Sequence, residues 1–198
     1  MGKKIVGEES VVVHRSQEGV ECYTFDQIIS GSRLVEAWLK NAIWMRSFVQ
    51  STVWDLPNLP TITSRVAQVP IEFYNVLRPF WGERLAQQFT DLIGSRTAIK
   101  SSILTAVMRN DQNTADQYTR ELYANADEIS AFLAQFPSWS RDEWQILLYD
   151  DSNMFIRQIE SLLNDDYNTE ASIYERIINH TINMGNYMAY GILRRRIS

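Results

Sequence analysis

Three polar turns recur at equal steps along the chain. The segments "DLPNLPT" (Asp55 to Thr61), "NDQNTAD" (Asn110 to Asp116) and "DDYNTEA" (Asp165 to Ala171) centre on Asn58, Asn113 and Asn168, each 55 residues from the next. Sequence repetition at a fixed period signals one supersecondary unit copied along the chain, and such a unit buries its apolar face only by stacking on its neighbours. The joints between units keep the same step, since Trp81 and Gly82 become Phe136 and Pro137 after 55 residues.

The segments between the turns are helical in pattern. Leu34, Val35, Trp38, Leu39, Ala42, Met45, Val49 and Val53 recur every three or four residues, the stripe of an amphipathic helix. A second helix carries Val66, Val69, Phe73 and Leu77, with Pro70 expected to kink it and the stretch from Pro79 to Gly82 to end it. Further helices are predicted over about 83–108 and 114–136, with a fifth beginning at Ser140 and a sixth running from after Asn168 to the Arg triplet. Thr61 or Thr63 is the expected cap of the second helix, and Ser140 with Glu143 reads as a capping box for the fifth. The sequence thus predicts an all-α fold: a six-helix antiparallel bundle of three helical hairpins (about 27–80, 81–137 and 138–198) with short connections. Residues 1–26 fall outside the repeat, and "SVVVHRSQEGVECYTF" reads as an extended arm or β-hairpin.

Composition narrows the class of function. The chain has 198 residues, 45% of them apolar, and a net charge of −5, which argues against a nucleic-acid partner. Its dense basic run, Arg194 to Arg196, is expected to complement a helix C-terminus. No apolar stretch reaches the roughly 18–20 residues of a membrane span, and "MGKKIVGEES" does not read as a signal peptide. Cys22 stands alone and excludes an intrachain disulfide. These features set the expectation of a cytoplasmic protein.

Motifs of phosphate loops, dinucleotide folds, zincins, serine hydrolases and redox dithiols are absent, and so are the Glu-x-x-His pairs of ferritin-type di-iron bundles. Only His14 and His180 are available, too few for a histidine-rich zinc site. Polar residues at equivalent repeat positions remain as candidates. Asn41, Arg96 and Asp151 lie 55 apart, as do Glu72 and Asp127, with Asn186 following one helical turn beyond the next step. Stacked hairpins would bring such positions toward one axis. Arg96 there requires a carboxylate, with Asp127 and Asp151 the equivalent candidates and Glu72 next. His180, beside Glu175 and Asn183, is a further candidate ligand-binding residue or general base.

"WLKNAIWMR", "PFWGERLAQQF", "ELYANADEISAFL" and "INMGNYMAYGI" resemble, in order from Trp38 to Ile192, the motifs of a bacterial all-helical family. Its patterns run approximately W-x-x-H-x-x-W-T-R, Y-Y-G, N-A-D-x-I-A-x-F-L and M-A-D-x-L-x-x-G-I, and some members carry the label acetylglutamate kinase. No glycine-rich phosphate loop or alternating α/β pattern accompanies that label here. The resemblance implies a histidine on the first helix of each hairpin and an aspartate on the second. The histidine positions correspond to Asn41, Arg96 and Asp151, and the aspartate positions to Glu72, Asp127 and Asn186, so the chain would be a divergent member without the histidines. The expected function is a non-catalytic binding or interaction module, working as a homodimer with an unknown protein or small-molecule partner and no cofactor. The alternative is a metal- or small-ligand-binding bundle, possibly an enzyme, using Glu72, Asp127, Asp151 and His180, whose carboxylates suit magnesium or manganese better than zinc.

Overall fold

Apolar stripes at helical spacing bury themselves against one another, and the described residues are all-helical apart from one short β-ribbon. The computed structural model describes residues 12–16 and 19–194. Strands β1 (Val12–Ser16) and β2 (Gly19–Tyr23) pair antiparallel, from Val12 opposite Tyr23 to Ser16 opposite Gly19. Helices α1 (Phe25–Val53), α2 (Leu59–Met108), α3 (Gln112–Leu133), α4 (Arg141–Leu163) and α5 (Tyr167–Arg194) follow. The first eleven residues of the expected arm, its turn residues Gln17 and Glu18, and the last four residues, with Arg195 and Arg196, lie outside the described residues.

The expected break between the second and third helices is a reversal inside α2. Gly82 alone departs from helical geometry there, at φ 75° and ψ 172°, a region essentially restricted to glycine. Phe73 and Phe89 would stand about 24 Å apart on a straight helix, yet their ring centroids are 5.7 Å apart. The Cγ of Pro70 likewise lies 3.9 Å from where Gly94 would carry a Cβ. The arms of α2 therefore run back along each other. Pro70 does not supply the bend, because its neighbours keep helical φ and ψ and the change of direction is absorbed at the glycine.

The three turns share a backbone conformation. Asp55, Asn110 and Asp165 adopt the left-handed region at φ 48°, 56° and 54°, which short polar side chains tolerate best. In each turn the following amide reaches back five residues: Leu56 to Ser51, Asp111 to Ala106 and Asp166 to Ser161. That six-to-one hydrogen bond ends the helix by satisfying a carbonyl that has lost its helical donor. Asp111 and Asp166 then accept from the amides of Thr114 and Thr169, capping α3 and α5. The first turn differs, because neither Thr61 nor Thr63 caps α2. Asn58 precedes it without a side-chain cap, its amide oxygen being held by the Ser51 hydroxyl.

Ser140 caps α4 by accepting from the Glu143 amide, but the reciprocal half of the expected capping box is replaced. The Ser140 amide donates to the Tyr187 hydroxyl, which in turn donates to the Glu143 carboxylate. An interaction expected within one turn thus ties α4 to α5.

The core joins the aromatic residues of the α2 reversal to those of the α3–α4 connection. Trp81 stacks on Phe136 with centroids 4.7 Å apart, and Trp139 meets both rings edge-on. Trp38 packs between Phe73 and Trp144. Four of the six tryptophans are buried, whereas Trp44 is half-buried and Trp54 exposed. Gly191 lets the Trp139 indole approach so closely that a Cβ would fall 2.1 Å from its nitrogen, which donates to the Tyr187 carbonyl.

Candidate functional site

Arg96 lies on the buried face of the second arm of α2, in line with Phe89, Ile93 and Leu104, and is 2% exposed. A guanidinium in that position needs every donor occupied. Its Nη2 donates to Asp151 Oδ2 at 2.8 Å, to the Leu148 carbonyl at 2.8 Å and to Ser152 Oγ at 2.7 Å. Nε reaches the same Asp151 oxygen at 3.3 Å, and Nη1 reaches the Leu122 carbonyl on α3. One side chain therefore joins α2, α3 and α4.

Lys100, one helical turn further along α2, adds a second buried cation. Its Nζ lies 2.8 Å from Asp151 Oδ2 and 5.0 Å from the centre of the Phe155 ring. Burial opposes ionisation of Asp151, but the charges of Lys100 and Arg96 and the hydrogen bonds from both outweigh it, holding the carboxyl well below the usual carboxylate range. Burial pulls Lys100 below its ordinary value; Asp151 restores part of the loss and the Arg96 charge adds to it. With all three ionised the cluster carries one net positive charge.

Beside the cluster is an interior cavity of about 20 Å³, lined by Trp38, Asn41, Lys100, Asp151, Gln158 and Thr181 among others. That volume accommodates one water-sized molecule and excludes an organic substrate. The first predicted set thus converges: Arg96 bonds Asp151, and Asn41 faces the same cavity as Asp151.

The second set does not converge. Glu72 pairs with Lys40 at 2.7 Å on the partly exposed α1–α2 surface. Asp127 is not the partner of Arg96. It accepts from Gln145 at 2.6 Å and from the Tyr149 hydroxyl at 3.0 Å, between α3 and α4. Asn186 is exposed on α5. His180 lies apart from both sets, its Nε2 2.8 Å from the Leu147 carbonyl, so that nitrogen carries the proton and donates. Among the described residues no three His, Cys, Asp or Glu side chains gather as a metal site. No helix among them is long and apolar enough to cross a membrane.

A second ion pair, between half-buried Arg46 and buried Glu170, escaped the repeat argument. Arg46 Nε and Nη2 each lie 2.8 Å from a Glu170 oxygen, and the Gln158 amide donates to the same carboxylate. The hydrogen bonds from Arg46 hold the Glu170 carboxyl below its ordinary value against burial. A usable signal existed. Glu170 stands in register with Ile173 and Ile177 on the buried stripe of α5, and a charge on such a stripe demands a partner.

Comparison with known protein families, with curated proteins and with solved structures finds no match to this chain.

Proposed function

We propose that the chain is a non-catalytic helical-bundle binding or interaction protein that works as a homodimer in the cytoplasm. The observation carrying this reading is the state of its central polar positions. Arg96 and Lys100 neutralise Asp151, and the adjoining space is water-sized, so substrate has no room beside the only repeat-equivalent polar residues that meet. Under the same proposal the architecture is three repeated hairpins, six helical segments in all, with the arms of α2 belonging to successive units. The equal spacing and shared conformation of the turns at Asp55, Asn110 and Asp165 support it. Membership of the all-helical family with the W-x-x-H-x-x-W-T-R motif is part of the proposal, with the Arg96–Asp151 pair occupying two of the family's histidine positions.

Self-association is assigned to the N-terminal arm. A two-stranded ribbon is marginal in water by itself and needs a surface on which to pack. Deleting residues 1–25 is expected to convert a dimer to a monomer in light scattering. A truncated protein with unchanged mass would refute the role of the arm, and a monomeric full-length chain would refute the dimer.

A further inference from the structure

We propose that the groove between α4 and α5 binds a small amphiphilic anion, an oxyanion head group (carboxylate or phosphate) joined to an apolar chain. The inference rests on reading the chain as a binding protein and assigns the chemistry of one ligand.

The groove has two contiguous halves with different character. One is a hollow of about 470 Å³ lined by Arg157 from α4 and Arg176 from α5, with Asn179, His180 and Asn183. Neither arginine makes an ion pair among the described residues, whereas the half-buried Arg46 and the buried Arg96 are both neutralised. Asp150 is the single carboxylate on this lining against the two arginines, so this half is net positive. Two guanidinium groups and neighbouring amides form the donor set that recognises a planar or tetrahedral oxyanion.

The other half is a hollow of about 320 Å³ lined by Ile146, Leu147, Tyr187 and Glu143, whose carboxylate accepts from the Tyr187 hydroxyl, and Asn183 lines both halves. Ile146 is 61% exposed, the most exposed of the large hydrophobic side chains on the described surface. From Ile146 to Arg157 the groove extends about 16 Å along α4, given the rise of an α-helix. A head group at the arginines would therefore direct an apolar chain along the groove toward Ile146. Charge complementarity fixes the head group, and the exposed isoleucine gives the chain a reason to follow.

Saturable binding to the full-length chain is measured by titration calorimetry with octanoate and octyl phosphate. Inorganic phosphate and octyl glucoside serve as probes of the head group and the chain alone. Both amphiphiles are expected to bind more tightly than either single-feature probe, and the tighter of the two identifies the head group. Arg157→Gln with Arg176→Gln is expected to weaken them roughly tenfold or more, since hydrogen bonds to charged groups carry that much discrimination. These side chains are exposed, so the variant should keep the helical circular dichroism of the parent. Absence of saturable binding, equal binding of octyl glucoside, equal binding of inorganic phosphate, or unchanged affinity in the double variant would each overturn the proposal. Light scattering on the same samples separates it from self-association: a dimer that ignores both amphiphiles refutes only the groove, and a monomer that binds them refutes only the dimer.

Discussion

Asp151→Asn is expected to destabilise the fold by roughly 3–5 kcal/mol, the range for a buried charge pair stripped of one partner. The substitution leaves two buried cations, Arg96 and Lys100, without an anion. Arg96→Met should cost less, because Lys100 would still neutralise the carboxylate. The ordering of the two variants in urea unfolding is as informative as either value, and an Asp151→Asn protein with the parent's midpoint would refute the ion cluster. The pH dependence has a definite sign. A carboxyl whose folded-state pKa is depressed contributes stability that is complete above its unfolded pKa, about 3.9, and lost as pH falls below it. Acid titration below about pH 4 should therefore be shallower in Asp151→Asn than in the parent.

Gly185→Ala is the second large effect, about 1–3 kcal/mol of destabilisation from overpacking. A Cβ there would fall 2.7 Å from the Val35 Cα, so α1 and α5 must separate to admit it, and side-chain rotation cannot relieve a clash with backbone. The gain of roughly 1 kcal/mol in helix propensity from replacing glycine is smaller than the upper part of that range. Gly31→Ala on α1 is the control, since its Cβ would meet Ala189 at an ordinary 3.5 Å. It should keep the propensity gain and raise the melting temperature, while Gly185→Ala lowers it. Equal shifts in both variants would mean that the contact at Val35 does not limit helix approach.

Helix formation was legible because it depends on local period and on turn chemistry, both written along the chain. The helix starts fall within a few residues of their expected places, and the end expected over Pro79 to Gly82 is the reversal at Gly82 inside α2. A proline was expected to bend the chain at position 70, and a glycine bends it at 82, because positive φ reverses direction while a fixed negative φ does not. The need of Arg96 for a carboxylate was legible from its repeat-equivalent position, which stacked hairpins turn toward a common axis. The choice of Asp151 over Asp127 was not, since it depends on the direction in which α3 and α4 present their side chains. Lys100 was overlooked although it shares the stripe of Arg96, and with it the net positive charge of the cluster. The groove arginines had no distinguishing local pattern, because Arg157 and Arg176 line one hollow only through the antiparallel packing of α4 and α5.

The central claim is that the interior charges serve one another and do not serve a bound metal. Asp151 Oδ2 already accepts from Arg96 and Lys100, so a divalent cation approaching this carboxylate would meet two fixed positive charges. Titration calorimetry of magnesium, manganese and zinc into the protein without a histidine tag tests this directly. The account predicts no saturable binding in the parent or in Asp151→Asn, and one-to-one binding by the parent that is lost in Asp151→Asn would contradict it.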